Sequence, residues 1–307
     1  MIFDRRSFPA NSTMSMMPAK DGWPLRTYTQ PAIGQRRGSI LWLGGRGDIV
    51  EKYIETLDAW SRAGWSITSF DWRGQGGSGR VGANPAVGHI GDYATWVDDL
   101  AAFYADWAAR EPGPYIVMGH SMGGHLVLCA LADKRIAPDR VVLVAPMLGF
   151  ETGIIPFPVA FWAARLMARL KNEMRPAWKR NEKPSPPNAS RQGFLTHDAD
   201  RYADELWWKQ QNPSLSLGPP SWSWLAAAYR SIAALNRRGG VERIEIPILI
   251  LCAERDELVS AKAIHKFASR LPNATLVVFG DDTAHEILRE ADGPRNRALA
   301  AIAEFLE

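Results

Sequence analysis

The stretch YIVMGHSMGGHLVLCALA, residues 115–132, decides the fold. Its first part, 115–119, is a short apolar run of strand length, and 122–133 has the composition of a buried helix. The two join through Gly119-x-Ser121-x-Gly123 with no linker. A serine hydroxyl is a weak nucleophile that must meet both a base and a substrate. A tight strand-to-helix turn lifts its Oγ above the sheet, and glycines two residues to either side avoid clashes there. The helix that follows points its first amides at the same spot, which favours developing negative charge.

The rhythm of strand and helix extends both ways from this turn. Upstream, SILWLGG (39–45) and SITSFD (66–71) read as strands. Between and after them, Ile49, Tyr53, Leu57 and Trp60, then Tyr93, Trp96, Val97, Leu100, Phe103, Tyr104 and Trp107, follow helical spacing. Downstream, RVVLVAP (140–146), IPILILCAE (246–254) and ATLVVFG (274–280) are strand-like. Helices are expected near 260–270 and from about 292. Alternating strands and helices predict a mostly parallel central sheet with helices on both faces, and unbroken apolar strands suit a sheet covered on both sides. The rhythm fails only between 147 and 240, where prolines punctuate short helical stretches. The expected organisation is therefore a loose lead-in (1–21), a core (22–146), a helical insertion (147–240) and the rest of the core (241–307).

Composition agrees with a globular chain: 46% hydrophobic and 22% charged over 307 residues. Thirty-six Lys and Arg against 33 Asp and Glu leave a net charge of only +3, which gives no footing for a nucleic-acid partner. No run approaches the roughly 20 apolar residues of a membrane span, and the basic pair Arg5-Arg6 is followed by no signal-like apolar core. Cys129 and Cys252 lie in apolar runs and read as buried free thiols, which fits a cytoplasmic protein.

A serine on such a turn needs a base and an acid, which follow it along the chain in the order acid, then base. The downstream histidines are His125, His197, His265 and His285. The first sits in the nucleophile's own helix, the second in the insertion and the third mid-helix. His285 follows the strand 274–280 across a short loop and is assigned as general base. Asp256, just past the strand 246–254, is the favoured acid; Glu254 and Glu257 stand beside it, and Asp281 and Asp282 precede the base. The backbone amides of Met122 and of Arg46, in the glycine-rich LGGRGD (43–48), are the expected oxyanion donors. The Arg46 side chain is either a surface group or one aimed at an anionic part of a substrate.

With these residues in place, the chain resembles the α/β-hydrolase family, and within it bacterial lysophospholipases and monoacylglycerol lipases. The resemblance rests on LGGRGD, FDWRGQGGSGR (70–80), VGHIGDYATWVDDL (87–100), GHSMGG, VLVAPM (142–147), FLTHDADRY (194–202), LCAERDELV (251–259) and TAHEILRE (283–290). It implies a serine hydrolase that cleaves carboxylic esters of lipid-like substrates with Ser121, Asp256 and His285, and no cofactor or metal. Esterases and thioesterases for small soluble substrates share these residues, and so does a hydrolase fold that merely binds a ligand. Many relatives carry His-Gly where this chain has Gly44-Gly45. Asp71 and Arg73 read as structural residues that tie a loop under the site.

The insertion corresponds to the family's cap. In FPVAFWAARLMARLK (157–171), Val159, Trp162, Ala163, Leu166, Met167 and Leu170 share one helical face, with Arg165, Arg169 and Lys171 on others. That face is expected to pack on the core. The competing expectation is a peripheral contact with lipid. Six tryptophans of the insertion (Trp162, Trp178, Trp207, Trp208, Trp222, Trp224) suit an acyl pocket or an interface equally.

Overall fold

The computed structural model describes residues 3–152, 155–170, 174–178, 189–237 and 239–307. Eight strands make one sheet: β1 (Thr13–Pro18), β2 (Pro24–Gln30), β3 (Gly38–Leu43), β4 (Trp65–Phe70), β5 (Tyr115–His120), β6 (Arg140–Val144), β7 (Ile248–Ala253) and β8 (Ala274–Phe279). Their order is β1-β2-β4-β3-β5-β6-β7-β8. The β1–β2 and β2–β4 pairs are antiparallel and every other pair is parallel. The mostly parallel sheet read from the sequence is present.

Period-2 alternation divides the core into two layers. Leu41, Leu43, Val117, Leu143 and Ile250 face one layer, which also holds Leu100 and Trp107 of α2 (Ala94–Arg110), Leu126 of α3 (Met122–Ala132) and Phe267 of α8 (Ala261–Ala268). Ile40, Trp42, Met118, Val142 and Leu249 face the other, with Leu57 of α1 (Ile54–Arg62) and Ile302 of α9 (Asp292–Phe305). Burial on both sides explains why these strands read as continuous apolar runs.

The lead-in is not loose. Residues 13–18 pair with β2 in register Thr13↔Thr29 to Pro18↔Pro24. Ahead of them, Arg5 and Arg6 both bind Asp204, at 2.5 and 2.7 Å, and the Trp208 indole donates to the Arg5 carbonyl. The partners lie nearly 200 residues away, so local composition could not reveal them.

Between β6 and β7 the described residues contain no strand. They form α4 (Phe157–Arg169), α5 (Ala189–Leu195), α6 (Ala199–Gln211) and α7 (Trp222–Leu235). The loop-like KPSPPN (183–188) and Lys171 fall outside the described residues. Helix α7 is rooted in the core through Trp224, Ala227, Ala228 and Leu235. Helix α4 rests on α7, and its Phe157 ring meets Tyr229 edge-on at 5.1 Å. The expectation that the Val159 face packs inward is corrected: Val159, Trp162 and Leu166 are 57–59% exposed, and Leu170 points outward too. The helix has a second apolar face, Phe157, Phe161 and Ala164, which takes the inward position.

Helix α6 is held by charge. Lys52 reaches Asp48 and Glu286 at 2.5 Å each and Glu205 of α6 at 3.3 Å. Arg289 binds Glu205 at 2.9 Å and also Glu286, and Lys209 binds Glu205 at 2.7 Å. Three carboxylates and three cations thus balance in a buried cluster between core and cap. Removing one member leaves an uncompensated buried charge. Lys52→Ala is expected to lower the unfolding free energy by about 3–5 kcal/mol, read from urea denaturation. Burial resists charging of these carboxylates, but the cations overcome it and hold Asp48, Glu205 and Glu286 below the usual carboxylate range. Their contribution is therefore present above the unfolded pKa of about 4 and is lost as pH falls through the lower native values.

Candidate active site

Strand β5 hands over to α3 within one residue. Ser121 sits there at φ 50° and ψ −115°, a strained backbone for a non-glycine residue. Its own N–H donates to the Val144 carbonyl, and its carbonyl accepts from His125 and Met147, so neighbouring elements hold the turn in place. A Cβ at Gly119 would come within 2.7 Å of the Gly123 carbonyl carbon, and one at Gly123 within 2.5 Å of the Leu43 and Gly44 carbonyl oxygens. The two glycines of the motif are thus required by close packing under the serine.

Asp256 and His285 leave the ends of β7 and β8 and meet, with His285 Nδ1 2.6 Å from Asp256 Oδ2. The other carboxylate oxygen of Asp256 accepts the amides of Leu258 and Val259 at 2.8 and 3.0 Å, which fixes its orientation. Ser121 and His285 line the same cavity, of about 360 Å³. Burial disfavours the charged imidazole, yet the Asp256 carboxylate outweighs it, with Glu286 and Asp48 adding to the effect, so the His285 pKa is raised. The alternatives are engaged elsewhere. Glu254 pairs with His265 at 2.9 Å, and Asp281 and Asp282 pair with Arg255 and Arg297 in exposed bridges. Glu257 lies on the cavity lining, with no bond to the imidazole. His197 binds Glu290 at 3.0 Å, and His125 is buried against Ser231 at 2.7 Å, where burial pushes its pKa down to about 3.

The oxyanion loop is organised by Asp48 and Gln75. The Gly45 amide donates to Asp48 Oδ2 at 2.6 Å, and the Gly47 amide to Gln75 Oε1 at 2.6 Å. Arg46 lies between these two committed amides and lines the cavity with Ser121. Met122 opens α3, where the first amides have no acceptor within the helix. A Cβ at Gly45 would come within 3.0 Å of both His120 Nδ1 and Ser121 Cβ, so a bare backbone runs beside the nucleophile. The Arg46 side chain is half-buried on the cavity lining rather than a free surface group. It donates to the Gly218 carbonyl at 2.5 Å and lies over the Trp224 ring at 5.2 Å, joining this loop to the cap.

The cavity has two characters. Met147, Phe150, Leu225, Tyr229, Leu258 and Val259 form an apolar wall, while Lys52, Arg191, Glu205 and Glu286 line a charged end. Sequence reading missed the charged end, because Glu205 comes from the cap. The only local signals are the i,i+4 pair Asp48–Lys52 and the Glu that follows His285. His120 Nδ1 sits 3.0 Å from both Asp48 Oδ2 and the Tyr53 hydroxyl, and its ring is 4.8 Å from that of His285. Asp71 and Arg73 do tie loops, though not to one another: Asp71 takes Arg26 and the Gly77 amide, and Arg73 grips Asp99 and Asp21. Among the described residues, one trio could hold a metal: Cys252, Glu254 and His265, with ligand atoms within 4.8 Å of one another. It lies off the cavity lining, and burial pushes the Cys252 thiol up to about 12, which opposes the thiolate that a metal requires.

The Hydrolase_4 family model, described as serine aminopeptidase S33, matches residues 34–292. The chain belongs to this family of α/β-hydrolases. Lysophospholipase L2 of Escherichia coli K12 is 30% identical over 274 residues, spanning 85% of this chain and 78% of that protein. The probable lysophospholipase L2 of Haemophilus influenzae is 28% identical over 288 residues, spanning 92% and 87%. A soluble variant of monoglyceride lipase from Saccharomyces cerevisiae, in complex with a substrate analog, superposes with a TM-score of 0.77 at 18% identity, covering 97% of this chain and 96% of that one. The chain is a serine hydrolase related to lipid esterases.

The base must be neutral to accept a proton. Since the His285 pKa is raised, kcat/KM should fall on the acid side with an inflexion above the ordinary 6.5. Asp256→Asn removes the carboxylate that raises it. Turnover should drop by about four orders of magnitude, and the acid inflexion of the remaining activity should move to lower pH. A pH–rate profile of both proteins checks this.

Proposed function

We propose that the protein hydrolyses the ester of a single-chain lipid, with a lysophospholipid as the preferred substrate. The observation that carries this reading is the two-sided cavity around Ser121. Its apolar wall suits an acyl chain, and the Arg191 guanidinium on its lining suits a phosphate, while Lys52 beside it is held by Asp48, Glu205 and Glu286. The lysophospholipase names of the relatives from Escherichia coli and Haemophilus influenzae support it.

In this reading His285 takes the proton of Ser121 as Oγ attacks the ester carbonyl. The amides of Met122 and Arg46 hold the oxyanion. His285 then protonates the leaving alcohol, and a water molecule deprotonated by the same imidazole releases the fatty acid. Asp256 keeps the imidazole oriented and stabilises its charged form. Fatty-acid release from a lysophospholipid and from a monoacylglycerol of equal chain length tests the assignment. Faster turnover of the lysophospholipid is expected, with kcat reduced by about four to six orders of magnitude in Ser121→Ala. Preference for the neutral lipid would move the assignment to monoacylglycerol hydrolysis.

The same reading places the protein in the cytoplasm, working at the membrane surface through α4. Two buried free thiols suit a reducing compartment. No helix among the described residues is long and apolar enough to cross a membrane. Ile155, Val159, Trp162, Leu166 and Leu170 instead make an exposed apolar stripe, with Arg165 over the Trp162 ring at 5.0 Å and Arg169 on the flank. Such a helix can lie in the headgroup region, with the arginines near anionic lipid. Leu166→Glu should abolish co-sedimentation with phosphatidylglycerol vesicles while leaving hydrolysis of a soluble p-nitrophenyl ester unchanged. Undiminished vesicle binding would remove α4 from the interface.

A further inference from the structure

Two motifs from the sequence, FLTHDADRY of the cap and TAHEILRE, which carries His285, end in residues the chemistry described so far does not use. In the structure they are two sides of one buried contact, with Glu290 at its centre. Its side chain is fully buried. One carboxylate oxygen, Oε1, accepts the amide of Ala284, the residue immediately before His285, at 2.6 Å. The other, Oε2, accepts the amide of His197, in the cap, at 3.0 Å. His197 Nδ1 lies 3.0 Å from Oε1, and the Thr196 hydroxyl bonds the Arg289 carbonyl at 2.7 Å. Beside this, the cap runs along the base's own backbone: the Glu286 amide donates to the Leu195 carbonyl at 2.8 Å, and the His285 amide points at the Phe194 carbonyl at 3.4 Å.

We infer that Glu290 is a positioning residue for His285, and that the cap segment 194–197 completes the support of the general base. The inference rests on the reading of His285 as that base. Two independent features favour a positioning role over simple core filling. A buried carboxylate is costly unless hydrogen bonds satisfy it, and here both oxygens are spent on backbone amides, one from each of the segments to be registered. The amide chosen on the core side also adjoins the reacting residue directly, so a shift of Glu290 is passed to the imidazole through a single peptide unit. Asp256 holds the ring through Nδ1 and Glu290 holds the backbone that carries the ring. The two restraints act on different degrees of freedom. The contact also divides the cap. Segment 194–211 is fixed to the core by Glu290 and by the Lys52 cluster, so it belongs to the rigid frame of the site.

The test compares wild type, Glu290→Ala, Glu290→Gln and His197→Ala on a soluble p-nitrophenyl ester and by fluorophosphonate labelling of Ser121. A misplaced reacting group costs rate rather than binding. Glu290→Ala is expected to lower kcat by about 100-fold with KM within about threefold of wild type, and labelling should slow in parallel. Glu290→Gln keeps one acceptor oxygen and should recover part of kcat. His197→Ala alters a half-exposed side chain, keeps the Ala284 bond and should lose less than Glu290→Ala. It remains informative if Glu290→Ala fails to fold. The downfield proton resonance of the His285–Asp256 bond should shift or broaden in Glu290→Gln. Unchanged kcat in folded Glu290→Gln and His197→Ala would overturn the inference while leaving the triad reading intact. If wild type is neither labelled at Ser121 nor active, the triad reading fails and this inference fails with it.

Discussion

The handover from β5 to α3 within a single residue constrains the rest of the site. It holds Ser121 at a positive φ, a conformation that survives only because surrounding elements leave no alternative. The β6 carbonyl of Val144, the Leu43 and Gly44 carbonyls of the neighbouring loop and the start of the next segment at Met147 all press on this turn. A parallel sheet puts the carboxyl ends of its strands on one rim. The loop after β3, the turn after β5, the acid after β7 and the base after β8 therefore converge there without further instruction.

What the sheet does not supply is a lid with a defined place, and charge supplies that. An apolar contact between cap and core would hold at many registers. Lys52, Arg289 and Lys209 against Asp48, Glu205 and Glu286 hold at one, since each group has particular partners at 2.5–3.3 Å. A buried ionic cluster adds little net stability over an apolar one. Its effect here is to fix α6, whereas among the described residues α4, which packs on α7, has no comparable ionic tie. The two halves of the cap are therefore built on different principles.

The fold was legible because its determinants are local. Strand lengths, helical spacing and the GxSxG turn each lie within a dozen residues. Ser121, His285 and Asp256 could be named because each stands at a strand end, in a fixed chain order. Residues 13–18 were missed because β1 is an edge strand with only Met14 and Met17 half-buried, too weak an alternation to stand out. The orientation of α4 was misjudged because the helix has two apolar faces, and only tertiary packing on α7 chooses between them. The charged end of the cavity and the Glu290 contact join residues 84 to 234 positions apart, and no periodicity encodes such pairs.

The insertion of the cap between β6 and β7 has a consequence for the order in which the site comes into being. The nucleophile and its turn lie upstream of the cap, whereas the acid, the base and Glu290 lie downstream. As the chain leaves the ribosome, Ser121 and its flanking strands emerge first and can begin to fold while nothing can activate the hydroxyl. The apolar acyl wall, part of which is cap, emerges next. Only when β7 and β8 join the sheet does the imidazole come into reach. In this chain order the hydroxyl precedes the cap and the imidazole follows the last strand of the sheet, so the triad is complete only once β8 is in place.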